Sequence, residues 1–380
     1  MTVGQDYIRY ITLYNSYPEE RDELIGTLDF ALNSLNSRTR TLVRSTVVGG
    51  SDKTLIRINL KLFGLDPNDW DDLGKRGSGL IRSLKKIDQP DPYFHTQARS
   101  ITPGEKYKTV VDCEPYLFQG KYYNQKYVER RKDDEVKLEL FHAPWVDQKK
   151  IVALATATQT DFPIFRADWF IANALINPAY NKFMGIKSVK DAQRIARFRV
   201  DDVDLSTKGI VSDSQEVAHH IRAARRTPTS SGYYWETYDY LTSIREDDLL
   251  KNLLNEKRDA GEIIFTLPNT LQGYLLVNGK DELVDFADPH VAYDPNTAWR
   301  VKTVWTGVSC ITCHTEGIKQ VADEVRLLSR PPVALLVKKE KDFERVAELF
   351  SASIDEVVDK DREVYRKAIY RFICRILPEL

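Results

Sequence analysis

Leu24, Leu28, Leu32 and Leu35 recur three or four positions apart behind the acidic start PEERDE, a spacing that predicts an amphipathic helix. Further on, Ile56, Ile58, Leu60 and Leu62 alternate with Arg57, Asn59 and Lys61, which predicts a half-buried strand. LDPNDWDDLGKRGSG (65–79) reads as turn chemistry that ends it. Residues 85–150, rich in Tyr, Pro and charge, read mainly as loops, and KKIVALATATQ as a buried strand. In FRADWFIANALINPAYNKFMGI the pattern predicts one helix stopping before Pro178 and a short one after it. SVKDAQRIARF opens with Ser188 and Asp191 in the arrangement of a capped helix start.

The clearest β pattern is GEIIFTLPNTLQGYLLVNGKDELVDFA (261–287): three β-rich runs divided by Pro-Asn and by Asn278-Gly279, the latter a strong hairpin signal. At the C-terminus Ser353 and Glu356 form an S-x-x-E box, and Val357, Val364, Ala368, Phe372 and Ile376 keep near one helical face. The whole reads as an α+β chain: an N-terminal α+β region (1–150), a central α+β region with a β meander (151–300), and a helical region (301–380).

Composition narrows the class. The 380 residues suffice for two or three domains, and 42% hydrophobic content fits a globular chain. Lys and Arg number 55 against 56 Asp and Glu, so no broad basic surface for nucleic acid is expected. The basic run HHIRAARR (219–226) reads as a solvated face. No apolar run reaches the ~18 residues of a membrane span, and the start lacks the charged-then-apolar order of a signal peptide.

Candidate chemistry concentrates in WTGVSCITCHTEG (305–317), where Cys310, Cys313 and His314 form C-x-x-C-H, the attachment signature of c-type haem. Positions three and four apart share a helix face. Both thiols can therefore reach one porphyrin while His314 offers a ring nitrogen to the iron as proximal ligand. Gly307 permits a tight entry, Ser309 stands where an N-cap would, and TEGIKQVADEVRLL can continue the helix. Three other readings compete: a C-x-x-C redox pair, a zinc site completed by distant Cys113 and Cys374, and a chance cluster of buried cysteines. The redox pair lacks a βαβ pattern ahead of it, and zinc lacks a second ligand pair.

No Met or His follows Thr315, so a second axial ligand must come from upstream or from a Lys, Tyr or Cys374, or be absent. Met184 is the first candidate and His95 the second; His142, His290, His219 and His220 are others, the last pair beside arginines suited to a haem propionate. Met ligation suits electron transfer, whereas an open distal position suits peroxide or gas chemistry.

GEIIFTLPNTLQGYLLVNGKDELVDFADP followed by GVSCITCHTEG, together with DPYFHT, RADWF and SGYYWETYDYL, resembles a family of long bacterial single-haem proteins in which the haem motif follows a long non-haem region. The resemblance runs from about Tyr7 to the end. It implies one covalent haem c on Cys310 and Cys313 with His314 as proximal ligand, and implies no substrate. The expectation is an exported cytochrome, periplasmic or extracellular with its leader removed, passing electrons to a redox partner or within a larger assembly. Alternatives are a peroxidase-like haem enzyme or gas sensor, and a zinc-stabilised module without haem. Outside the cytoplasm Cys113 and Cys374 could pair as a disulfide or remain thiols.

Overall fold

The computed structural model describes residues 4–13, 16–48, 50–83, 108–111, 117–118, 121–130, 136–142, 148–199, 201, 207–211, 222–239, 257–288, 291–292, 303–320 and 353–376; side chains are not described within 76–83, 108–142, 148–152, 207–211 and 373–376. The fold is α+β, in two compact units: residues 1–32 with 43–175, and 33–42 with 176–380.

The first unit runs β1 (Ile8–Thr12), α1 (Arg21–Ser34), β2 (Thr46–Val47), β3 (Leu55–Asn59), α2 (Pro67–Ser83), β4 (Lys108–Val111), β5 (Leu117–Phe118), β6 (Lys121–Arg130), β7 (Val136–His142), α3 (Gln148–Thr158), β8 (Ile164–Arg166) and α4 (Ala167–Ala174). β1 pairs antiparallel with β3 and parallel with β8, β2 lying outermost beside β3. Ile11, Ile56, Ile58 and Phe165 are fully buried, and Trp70 stacks on Phe165 at 4.5 Å. The leucine-spaced helix is α1, with Leu28 and Leu32 buried.

Several expectations change here. The strand β3 stops at Asn59, and Leu62 is exposed in the turn that follows. The supposed turn after it is the helix α2. Asp66 accepts the Asn68 backbone N–H at 2.9 Å, Pro67 takes the first helical position, and Trp70 and Leu73, three apart, are buried. Turn chemistry and cap chemistry use the same residue types, so Asp-Pro-Asn fits both. KKIVALATATQ is helical rather than a strand, three alanines outweighing its β-branched residues. Residues 108–142 contain β4–β7, with β6 pairing β4, β5 and β7, where loops were expected.

The second unit carries α5 (Ala179–Met184), α6 (Val189–Ala196), β9 (Thr207–Val211), β10 (Arg222–Thr229), β11 (Gly232–Asp239), β12 (Ala260–Thr266), β13 (Gln272–Asn278), β14 (Leu283–Val284), α7 (Val308–Cys313) and α8 (Asp355–Ile376). Its sheet is antiparallel throughout, in the order β14-β13-β12-β11-β10-β9. The meander matches its pattern: Pro268-Asn269 and Asn278-Gly279 sit in the two connections, and Asn278 Oδ1 accepts the Lys280 and Glu282 backbone N–H groups. Helices α4, α5 and α6 also fall where the sequence places them, Ser188 being the cap residue of α6.

One face of this sheet, bearing Ala224, Tyr233, Trp235, Ile264 and Tyr274, packs with Cys310 of α7, Ile318, and Ile354 and Val358 at the start of α8. The buried stripe of α8 is Val358, Asp361, Tyr365, Ala368 and Phe372, while Val364, expected on that stripe, is 42% exposed. The arginines of the basic run are not a solvated face. Arg222 pairs with Asp239, Arg225 with Glu236 and Arg226 with Asp361, with most of each guanidinium buried. Among the described residues no helix is long and apolar enough to cross a membrane.

Candidate functional site

Cys310 and His314 lie against the sheet face just described, and Cys313 ends the same helix, α7. α7 begins after Gly307, whose φ of +96° lies in a region that side chains disfavour. Gly307, not Ser309, is the cap residue. Ser309 lies inside the helix, and its Oγ accepts the Trp305 backbone N–H at 2.9 Å. The helix ends at Cys313 and does not run on through TEGIKQ, because the chain turns at Gly317, φ +93°.

That turn fixes the imidazole. His314 Nδ1 lies 3.0 Å from the Gly317 carbonyl oxygen, which requires the proton on Nδ1 and leaves Nε2 pointing elsewhere. A Cβ on Gly317 would stand 3.1 Å from the Tyr365 ring, so the turn and α8 approach as closely as glycine allows. Arg362 donates to the Ile318 carbonyl, and Arg362 and Arg366 both reach Glu316, tying the segment after His314 to α8.

His314 is 8% exposed and Cys310 2%, while Cys313 is half-buried. The thiol of Cys310 is pushed well up by burial and by the nearby Glu262 carboxylate, which keeps it protonated. The Tyr274 ring stacks on His314 with centroids 5.7 Å apart, and its hydroxyl donates to Gln272. Glu262 Oε1 lies 3.5 Å from His314 Nε2, and its Oε2 lies 3.9 Å from Arg222. Burial would raise this carboxyl, but His314, Arg222 and Lys319 together outweigh burial and hold it at about 2. Glu262 also lines a cavity of about 500 Å³ with Arg222, Leu276, Phe286 and Val291.

Register explains why Glu262 and Tyr274 meet one imidazole. In the β12–β13 pair Glu262 faces Leu276 and Ile264 faces Tyr274, so Glu262 and Tyr274 are diagonal neighbours on one face. Neither was singled out from the sequence. The only trace was a charged residue interrupting the apolar run GEIIF.

Met184 is placed elsewhere. Gly273, adjacent to Tyr274 in β13, directs its Cβ position to the opposite face, where that position lies 3.0 Å from Met184 Cε. The sheet thus separates Met184 from His314. His95, His219, His220, His290 and Cys113 lie outside the described residues; His142 ends β7 and Cys374 lies in α8, neither with its side chain described. Among the described residues no group of three or more His, Cys, Asp or Glu is placed to hold a metal ion by itself, so the zinc reading gains no ligand set there. Comparison with protein families, with characterised proteins and with solved structures finds no match to this chain.

Proposed function

We propose that this chain is a single-haem c-type cytochrome that transfers electrons, with the haem attached through Cys310 and Cys313 and His314 as its proximal ligand. The observation that carries the reading is the hydrogen bond from His314 Nδ1 to the Gly317 carbonyl at 3.0 Å, within C-x-x-C-H. Metal-binding histidines almost always donate their other ring nitrogen in this way, which fixes the tautomer and aims Nε2 at the metal. The donor set fits the group: two thiols one helical turn apart and an imidazole following at once.

The chain's own residues supply the rest. Cys310 belongs to the buried cluster of Tyr233, Trp235, Ile264, Tyr274 and Ile318, surroundings that would keep water from the attachment point. Cys310 and Cys313 would hold the group through thioethers, each thiol adding overall across one vinyl group so that S–H and C=C become C–S and C–H with no net oxidation. The tie from Arg362 and Arg366 to Glu316 holds the attachment segment against α8. When bound, the haem supplies a one-electron centre whose potential is set by its ligands and surroundings. Attachment of this kind belongs outside the bacterial cytoplasm, so the working place is the periplasm or beyond, and the electrons go to a protein partner.

The test is an optical spectrum of the full chain matured with a c-type haem system, oxidised, reduced, and reduced in alkaline pyridine. A c-type reduced α-band unchanged by carbon monoxide or peroxide supports the electron carrier. A spectrum that responds to those ligands moves the function to a haem enzyme or gas sensor, and absence of haem overturns the proposal in favour of a non-haem module.

A further inference from the structure

Both ring nitrogens of His314 face oxygen, Nδ1 the Gly317 carbonyl and Nε2 the Glu262 carboxylate, and one ring face lies on Tyr274. The nitrogen that an iron would take is therefore already held by a carboxylate. That carboxylate has a second partner in Arg222, which is itself gripped by Asp239 at 2.6 Å.

We infer that Glu262 is the positioning residue for haem attachment: it holds the Nε2–H of His314 in the haem-free chain, and on metal binding that proton would pass to solvent while the carboxylate remains with Arg222. The inference rests on the haem reading above. A buried imidazole held only at Nδ1 can still swing about that hydrogen bond, and a carboxylate at Nε2 removes this freedom before the haem arrives. A buried carboxylate that loses its partner is costly. Here Arg222 already stands at its other oxygen, so Glu262 can release His314 without being left as an isolated charge. A hydrophobic residue in its place would not hold the ring, and a carboxylate without Arg222 would not let go.

The full chain, wild type, E262Q and E262L, is produced with a c-type maturation system and, separately, without haem. Covalent haem per folded chain is read by intact mass, folding by circular dichroism, and the His314 ring nitrogens in the haem-free chain by 15N resonances of labelled histidine. The expected result is a loaded wild type, about tenfold less haem on E262L, and near wild-type loading on E262Q, whose amide oxygen still accepts from Nε2. In both variants the Nε2 resonance moves and the Nδ1 resonance stays. Equal loading of E262L and wild type overturns the assignment while leaving the haem reading intact. An unmoved Nε2 resonance in E262Q overturns it even if E262L fails to fold. A wild type that takes no haem overturns the haem reading and this assignment together.

Discussion

Arg226 in β10 and Asp361 in α8 stand 135 residues apart in sequence and form a two-point ion pair, with Nε–Oδ2 at 3.1 Å and Nη2–Oδ1 at 2.9 Å. Trp235 Nε1 donates to the same carboxylate at 2.8 Å. Asp361 is 4% exposed in its side chain, so this is a buried charge satisfied on three sides. It fixes where α8 crosses the sheet, and α8 in turn carries Tyr365, against which the Gly317 turn is packed.

Replacing Asp361 by Ala therefore removes more than an ion pair. It strands a largely buried guanidinium and the Trp235 N–H. The expected loss is about 3–5 kcal/mol, as for breaking one partner of a buried pair. D361N, which can still accept from Trp235, should lose less. Urea denaturation of both variants checks the order; D361A as stable as wild type would mean that α8 is not anchored here.

Gly317 is the second structural control point. Its φ of +93° is disfavoured for residues with a side chain, and an added Cβ would press on Tyr365. G317A should cost about 1–3 kcal/mol and loosen the carbonyl that holds His314 Nδ1. Thermal unfolding reads the first effect and the His314 Nδ1 resonance the second. A variant with normal stability and an unmoved resonance would show that the turn tolerates a methyl group.

The parts of this architecture visible in the sequence are those governed by neighbours along the chain. The leucine spacing of α1, the Asn278-Gly279 hairpin and the helix break before Pro178 all act within a few residues, and all three appear where their patterns lie. The C-x-x-C-H triplet was equally legible because one helical turn brings its members together. What was not legible depends on partners that only the fold supplies. Arg222, Arg225 and Arg226 resembled a solvated run because their carboxylates come from β11 and from α8. Glu262 showed only as a charge within the apolar run GEIIF, and its contact with His314 was hidden because it forms only when α7 packs on the sheet. The helix α2 was hidden for a different reason: Asp66-Pro67-Asn68 serves equally to end a strand or to start a helix, and burial of Trp70 decides between them.

Acid stability of the haem-free chain should carry the signature of Glu262. Its carboxyl is held at about 2 in the fold against an ordinary value of 4.5. The native form thus binds this proton more weakly than the unfolded form. The stabilisation is fully present above the unfolded value and is lost as pH falls toward the folded one, by roughly 3 kcal/mol in all. Unfolding free energies of wild type and E262Q between about pH 2 and pH 6 test this. The wild-type curve should fall toward acid more steeply, and parallel curves would remove Glu262 from the account.

The two cysteines should separate in stability and converge in chemistry. Cys310 is 2% exposed within the cluster of Tyr233, Trp235, Ile264 and Tyr274, whereas Cys313 is half-buried. In the haem-free chain C310A should therefore cost about 1 kcal/mol through lost packing, and C313A close to nothing. C310S should cost more than C310A, because a hydroxyl would enter an apolar cluster in place of a thiol. In chain matured with haem, each single alanine variant should keep one thioether, and the double variant should release all haem on denaturation. Intact mass after unfolding measures this directly. If haem remained bound to the double variant, its attachment would have to be sought at another residue; if C313A alone released it, Cys310 would be a packing residue and not an attachment point.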